Sequence, residues 1–201
     1  MTSNTRVPKA KIDGAYGAVM KKVSTRMLGQ VAEPLEVMWH NRRVLRTSMG
    51  FGQKAARWNA CDEDLKSYAH MAATAMIGCS WCLDFGYFQA HNEGLDVAKA
   101  REVPRWRESE VFTPLERDVM AYAEAMSATP PTVTDELAAD LLRRLGAPAL
   151  VELTAWIAFA NQAARMNVAL GIEGQGFAAA CSLPPLAQPS GRAAAATDGL
   201  A

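Results

Sequence analysis

Helical patterning over most of the chain is the feature that most constrains its fold. Ala, Leu and Met dominate the middle of the sequence, and the β-branched alternation that a half-buried strand needs is nearly absent. The Thr-Pro-Leu-Glu sequence at 113–116 is typical of a helix start, with a capping box and proline at the first helical position. A strongly apolar segment begins at Ala147 and ends at Gly171. The sequence therefore predicts an all-α fold.

The length of 201 residues predicts a single helical domain, which we assign to residues 13–185. Residues 1–12 and 186–201 are predicted to be disordered, because they offer few large apolar side chains for burial. A first long helix is predicted from about Pro34 to Gln53, and residues 101–113 are predicted to be a linker.

A weak internal helical repeat is suggested by residues 65–86 and 150–171, which align without gaps. Both segments are rich in alanine, and both end in an apolar residue followed by glycine. In that register Cys79 is opposite Ala164 and Cys82 is opposite Asn167.

Charge and hydropathy exclude several classes of partner. Lys and Arg total 21 and Asp and Glu total 21, so the net charge gives no reason to expect nucleic acid or an anionic membrane surface. Arg165 interrupts the longest apolar stretch, and the N-terminus lacks the apolar region of a signal peptide. We therefore expect a cytoplasmic protein whose thiols are kept reduced.

A Cys-x-x-Cys motif, Cys79 to Cys82, follows Gly78 where a new helix is predicted to begin. Four randomly placed cysteines would give roughly 0.06 such pairs, so the spacing is informative. A helix N-terminus lowers the pKa of a thiol, so one sulfur can attack a hydroperoxide or disulfide and its neighbour can resolve the adduct. Such a cycle needs an external reductant but no cofactor held by the protein.

Two other interpretations of the motif stay open: a pair of buried cysteines that only pack, and a zinc site. A closed zinc site needs four ligands, and the spacings of the remaining candidates are irregular, so we predict no metal. Those candidates are Cys61, Cys181, His70 and His91.

The chain resembles the carboxymuconolactone decarboxylase and alkylhydroperoxidase-D superfamily over about residues 30–176. The resemblance is carried by the apolar helix leading into Gly-Cys-Ser-Trp-Cys at 78–82, His-Asn-Glu-Gly-Leu at 91–95, Thr-Pro-Leu-Glu-Arg at 113–117 and the segment 153–171.

This resemblance implies an alkylhydroperoxidase-D-like helical fold and a homo-oligomer, often a trimer or a multiple of it. In the Cys-x-x-Cys branch it implies a thiol peroxidase for small hydroperoxides, reduced by a thioredoxin-like or dihydrolipoyl donor. It also implies that Cys82 meets the peroxide and Cys79 resolves it, whereas helix-dipole reasoning favours Cys79 as the more acidic sulfur.

The chain departs from that branch at the two groups that relay the thiol proton. The family has His four residues after the second cysteine, where this chain has Gly86, and Glu twelve residues before the first, where it has Ser67. Of the histidines that could substitute, we select His70, nine residues before Cys79, because a break at Gly78 would let it approach the cysteines.

The sequence thus predicts an oxidoreductase that reduces alkyl hydroperoxides through Cys82 and Cys79, with His70 as a candidate proton-transfer group. A cofactor-free lyase of the decarboxylase type is the second hypothesis, and a non-catalytic, redox-sensing oligomer is the third. The substrate, the electron donor and the oligomer number are not specified by the sequence.

Overall fold

The computed structural model describes residues 4–190, and the predictions for residues 1–3 and 191–201 lie outside them. Within this part of the chain all regular structure is helical, which confirms the all-α prediction. The helices are α1 (Gly14–Leu28), α2 (Glu33–Met38), α3 (Arg42–Ala55), α4 (Glu63–Ile77), α5 (Ser80–Asn92), α6 (Val97–Ala100), α7 (Pro114–Ser127), α8 (Asp135–Leu145), α9 (Ala147–Leu170) and α10 (Phe177–Ala180), with short 3₁₀ helices at Trp39–Asn41 and Val103–Arg105.

Helix α4 lies at the centre of the main core, where it packs most extensively on α7 and α9. Its Tyr68 and Met71 are almost completely buried, as are Met120 of α7 and both Leu153 and Ile157 of α9. Burial of such side chains removes apolar surface from water and is the main stabilising contribution to a helical core. Helix α5 packs against both α4 and α9, which places its first turn at their junction.

Local capping signals set several helix boundaries as predicted. Thr113 and Glu116 form both hydrogen bonds of a capping box at the start of α7. Gly78 ends α4 in the left-handed conformation, with φ of 82°, and α5 begins two residues later. The predicted break between the two helices is therefore present, because glycine adopts this conformation without steric cost.

Three segments differ from the sequence prediction. The single helix predicted from Pro34 to Gln53 is divided, because Asn41 leaves the helical conformation and its side chain accepts the N–H of Val44 to start α3. Helix α1 was not predicted. The predicted linker at 101–113 contains a 3₁₀ helix and three buried apolar side chains, Val103, Trp106 and Phe112.

The two segments of the suggested repeat have different local structures. Residues 65–86 contain the break at Gly78, whereas residues 150–170 all lie within the continuous helix α9. None of the helices within residues 4–190 is long and apolar enough to cross a membrane.

The described parts of the two ends that were predicted to be disordered contact the helical body. In residues 4–12, the Arg6 amide donates to the carbonyl of Leu170 at 2.9 Å, and the Arg6 guanidinium donates to two further carbonyls at the end of α9. In residues 186–190, Ala187 is buried and donates its N–H to the carbonyl that follows α6 at 2.9 Å. Backbone hydrogen bonds to the helical body thus hold both segments.

A buried ion pair joins α4 to α9. The Lys66 side chain is only 2% exposed, and its Nζ lies 3.1 Å from Glu152 Oε1. Nζ also donates to the carbonyl of Trp58 at 2.7 Å, and Glu152 Oε2 accepts the Ala60 amide at 2.7 Å. Burial alone would raise the pKa of this carboxyl, but the Ala60 amide and the Lys66 ammonium hold it below its usual value.

We expect Lys66→Met to lower the free energy of unfolding by about 3–5 kcal/mol, because it leaves the buried Glu152 carboxylate without its cation. The double variant Lys66→Met/Glu152→Gln keeps an acceptor for the Ala60 amide without a charge, and it should recover much of the loss. Urea denaturation of the three proteins measures both effects. Equal losses in the single and double variants would contradict this role of the ion pair.

Candidate redox site

The turn between α4 and α5 places the two cysteines at a helix N-terminus. The Gly78 and Cys79 amides both donate to the carbonyl of Thr74, at 3.1 and 3.0 Å, which closes the end of α4. Cys79 is then the N-cap of α5, in an extended conformation. Cys79 and Cys82 form a disulfide, with their Cα atoms 5.3 Å apart. The two sulfurs of the Cys-x-x-Cys motif thus meet across the first turn of α5.

Each sulfur has its own hydrogen-bond donor. Cys79 Sγ accepts the backbone N–H of Cys82 at 3.2 Å, as an N-cap side chain does. Cys82 Sγ accepts the side-chain amide of Asn167, from α9, at 3.3 Å. Donors at these positions stabilise a thiolate on either sulfur after reduction.

The sulfur pair is enclosed by packed apolar groups. Cys79 is 1% exposed and Cys82 is 4% exposed, and they form one buried cluster with Ala164 of α9. Ile77 and Trp81 complete this small cluster at its edge. Both cysteines are therefore buried in the disulfide form.

His70, the third predicted site residue, lies on α4 with its ring against α5. A Cβ atom added to Gly86 would lie 2.8 Å from His70 Nδ1 and 3.0 Å from its Cε1. Gly86 is four residues after Cys82, so both positions are on the same face of α5. The structure therefore places the His70 ring against α5 one turn beyond Cys82, whereas His91 is exposed in the last turn of α5.

Burial lowers the pKa of His70 from 6.5 to about 4. Protein atoms surround the ring closely, although the side chain is only partly buried from solvent. No charged group within the described residues contributes to the shift, so the imidazole is neutral at neutral pH. A neutral imidazole can accept a proton from a neighbouring acid.

A segment that follows α9, residues 172–187, holds the first two turns of α5; we call it the C-terminal strap. The Gly174 amide donates to Ser80 Oγ at 3.1 Å. The Asp84 carboxylate accepts the amides of Phe177 and Ala178, at 2.9 and 3.0 Å, at the start of α10. Both oxygens of the Asp84 carboxylate are therefore engaged by the first amides of α10.

Gln175 links the strap to two other parts of the chain. Its Oε1 accepts the indole N–H of Trp81 at 2.8 Å and the backbone N–H of Glu33 at 2.7 Å. Trp81 also stacks on Phe85 with ring centroids 5.1 Å apart, and its ring meets Phe177 of α10 edge-on at 5.7 Å. These contacts fix the orientation of Trp81, one of the two residues between the cysteines.

Asn167 and the C-terminal strap were missed in the selection of site residues. The one signal for Asn167 was the repeat register, which placed it opposite Cys82, and the structure brings these two residues into contact. The strap gave no signal, because its hydrogen bonds to α5 span more than 90 residues of sequence.

The two remaining cysteines lie apart from this pair and are free. Cys61 is buried, and burial, followed by the nearby Glu152 carboxylate, raises the pKa of its thiol to about 11. Cys181 is exposed at the end of α10. Within residues 4–190, no group of three or more His, Cys, Asp or Glu side chains is placed to hold a metal ion.

Comparisons with known proteins give one family and several structural neighbours. The model of the Carboxymuconolactone decarboxylase family matches residues 42–125, which include both cysteines and His70. The chain is also similar to the Uncharacterized protein YnjA of Escherichia coli strain K12, with 33% identity over 162 residues that cover 79% of this chain and 86% of that protein.

Two similar solved structures share the fold across most of the chain. One is the debrominase Bmp8, in a cysteine-to-alanine variant bound to 2,3,4-tribromopyrrole, with a TM-score of 0.76, 20% identity, and coverage of 88% of this chain and 95% of that one. The other is an alkylhydroperoxidase AhpD core, a peroxidase-related protein from Ralstonia eutropha JMP134, with a TM-score of 0.74, 15% identity, and coverage of 88% and 96%.

We expect the oxidised protein to lose stability as the pH falls from 6.5 towards 4, the two pKa values of His70 in the unfolded and folded states. In that range the unfolded chain binds a proton at His70 and the folded protein does not. The free energy of unfolding therefore decreases as the pH is lowered. His70→Gln should remove this acid-induced loss of stability, which is on the order of 1–3 kcal/mol near pH 4. Thermal denaturation across this pH range, with the exposed His91→Gln as control, measures the difference. Parallel pH profiles for the wild type and His70→Gln would contradict a buried neutral imidazole.

Proposed function

Because the chain belongs to the carboxymuconolactone decarboxylase family, we propose that it is a thiol-dependent oxidoreductase that reduces alkyl hydroperoxides. The reaction would run through a dithiol–disulfide cycle of Cys79 and Cys82. The family and the structural neighbours include enzymes, which supports catalysis in general. The observation that carries the specific proposal is the pair itself: two bonded sulfurs at a helix N-terminus, each with a separate hydrogen-bond donor.

In the first half of the cycle the Cys82 thiolate attacks the outer oxygen of the hydroperoxide. An S–O bond forms as the O–O bond breaks, and the alkoxide takes up a proton and leaves as the alcohol. Cys82 is then a sulfenic acid. Cys79 attacks that sulfur, the S–S bond forms, and the oxygen leaves as water. The two thiols have supplied the two electrons that reduce the peroxide.

In the second half an external dithiol, of the thioredoxin-like or dihydrolipoyl kind, reduces the disulfide. Its thiolate would attack Cys82 Sγ, and the bond to Cys79 would break. The leaving sulfur is then Cys79, which the Cys82 amide and the helix N-terminus stabilise as a thiolate. The family resemblance makes Cys82 the residue that meets the peroxide, and helix-dipole reasoning makes Cys79 the more acidic thiol. Both assignments are compatible with this proposal, in which Cys82 meets the reactants and Cys79 is the more stabilised thiolate.

We also propose that the working unit is a homo-oligomer. In support, α1 presents four large apolar side chains on one exposed stripe. They are Tyr16, Val19, Val23 and Met27.

Replacement of either cysteine should abolish turnover. We expect Cys82→Ser and Cys79→Ser each to reduce hydroperoxide consumption to the rate without protein, because neither variant can form the disulfide. Consumption of cumene hydroperoxide with dihydrolipoamide as reductant measures the effect. Cys61→Ser is the matched control, since it removes a buried cysteine outside the pair. Full activity without Cys82 would refute the proposal.

The same variants separate the alternatives. A redox-sensing oligomer would change its subunit assembly on reduction without consuming peroxide. A lyase would act on a lactone after every thiol is alkylated. Debromination of 2,3,4-tribromopyrrole that exceeds peroxide reduction, and is lost in both cysteine variants, would keep the dithiol chemistry but change the substrate class.

Loss of the Asn167 amide should slow Cys82 in particular. We expect Asn167→Ala to raise the pKa of the Cys82 thiol and to lower kcat/KM for hydroperoxide by about tenfold, the effect of one charge-assisted hydrogen bond. Asn161→Ala is the control on the same helix, because the Asn161 side chain donates to Ser127 instead. Thiolate absorbance of Cys82 in a Cys79→Ser background measures the pKa. An unchanged pKa in Asn167→Ala would contradict this role.

A further inference from the structure

We propose that the C-terminal strap is a redox-linked latch, docked on the first turn of α5 while Cys79 and Cys82 are bonded and released when they are reduced. Gln175 is the positioning residue of this latch, because it acts on the cysteine pair through Trp81. The inference rests on the proposed dithiol function and adds to it a conformational response of the site to its own redox state.

The strap binds both residues that lie between the two cysteines. The Gly174 amide donates to Ser80 Oγ at 3.1 Å, and the next strap residue, Gln175, accepts the Trp81 indole N–H at 2.8 Å. A Cβ atom added to Gly174 would lie 3.4 Å from the Ser80 carbonyl oxygen, so the two backbones pack against each other. Two consecutive strap residues therefore bind the dipeptide whose conformation the disulfide fixes.

The Gln175 side chain uses all of its hydrogen-bonding capacity to hold this position. Its Oε1 accepts a second N–H, from the backbone of Glu33, at 2.7 Å. Its Nε2 donates to the carbonyl of Val31 at 3.0 Å and to Gln30 Oε1 at 3.3 Å. An amide side chain has two acceptor positions and two donor hydrogens, and each of these has a partner. The Trp81 indole is thereby tied to the loop between α1 and α2 as well as to the strap.

Reduction changes the geometry that the strap contacts match. In the oxidised protein the Cα atoms of Cys79 and Cys82 are 5.3 Å apart, and the residues between them lie inside the small ring that the S–S bond closes. An external dithiol supplies two electrons and two protons, the S–S bond breaks, and the two thiols move apart to non-bonded contact. Ser80 and Trp81 follow that movement because they lie between the cysteines. Contacts made to the closed ring are therefore weaker in the dithiol, and by linkage the docked strap favours the disulfide by the same factor.

The strap can leave α5 and stay attached to the helical body. Gly171 and Gly176 flank residues 172–175 with positive φ of 70° and 74°, in a region that glycine enters and leaves without steric cost. The hydrogen bond of the strap to Ser80 is exposed, and exposed hydrogen bonds open at a low cost in free energy. Further along, Ala187 is buried and donates its N–H to the carbonyl that follows α6, which anchors the strap independently of α5.

Release of the strap explains how reactants reach a buried pair. Cys79 and Cys82 are 1% and 4% exposed while the strap is docked. When the strap leaves, α5 loses the contacts on its outer face, and its first turn can separate from α9. The dithiol form is then open to the hydroperoxide, and the disulfide form is closed.

Hydrogen exchange of the wild-type protein tests the latch without any variant. The Gly174, Phe177 and Ala178 amides donate to α5 in the oxidised protein, and the Ala187 amide, which donates elsewhere, is the internal control. We expect the first three amides to exchange at least about tenfold faster after reduction with a phosphine, and the Ala187 amide to exchange at the same rate in both forms. Equal exchange at the three amides in the two redox states, or equally faster exchange at Ala187, would overturn the inference.

The redox equilibrium of the pair tests the role of Gln175. Protein is equilibrated with mixtures of dihydrolipoamide and lipoamide, quenched in acid, unfolded, alkylated and analysed by peptide mapping. Gln175→Met removes the side-chain hydrogen bonds at similar size, and it should shift the equilibrium towards the dithiol by about fivefold, the effect of one lost hydrogen bond. Gln162→Met, at an exposed position of α9, is the matched control and should leave the equilibrium unchanged. An unshifted equilibrium in Gln175→Met would overturn the inference.

Neither measurement requires a peroxide. If the protein does not reduce hydroperoxides, the proposed function fails, and hydrogen exchange and the redox equilibrium still decide whether the strap is a latch.

Discussion

The turn at Gly78 and Cys79 is the constraint on which the rest of the site depends. If the helix continued through this point, the backbone N–H groups of the next turn would all donate to backbone carbonyls. No N–H group would then be free to donate to a cysteine sulfur. Because Gly78 adopts a positive φ, α4 ends and a new N-terminus is created inside the protein. Cys79 caps that N-terminus with its sulfur, and Cys82 follows one turn later with its amide directed at the first sulfur. A single break in a helix thus supplies both the pairing and the stabilisation of the thiols.

The surroundings of the turn give the two sulfurs different roles. Cys79 caps the helix N-terminus, whereas Cys82 has a side-chain donor from α9. The C-terminal strap fixes this arrangement from outside, because Trp81 and Asp84 both hydrogen-bond to it. A rigid first turn keeps the two sulfurs within bonding distance in the oxidised protein.

Features set by local rules could be predicted from the sequence, and features set by tertiary contact could not. The helix break at Gly78 and the capping box at Thr113 follow from residues within four positions of each other, and both predictions are confirmed. The division of the first predicted helix was missed, because one asparagine outweighs the apolar pattern around it. Asn167 lies 85 residues from Cys82, and the weak repeat register that placed the two positions opposite each other did not by itself identify this hydrogen bond. The selection of His70 rested on the predicted break, and the space at Gly86 that receives its ring is visible only in three dimensions.

The central claim is that Cys79 and Cys82 form one two-electron unit, and a single-turnover reaction tests it most directly. Fully reduced protein is mixed with one equivalent of cumene hydroperoxide in the absence of reductant, and the products are analysed by mass spectrometry and peptide mapping. We expect one equivalent of alcohol, a protein mass lower by two hydrogens, and a disulfide confined to the peptide that carries Cys79 and Cys82. Oxidation located at Cys61 or Cys181, a sulfinic acid without a disulfide, or unreacted peroxide would contradict the claim.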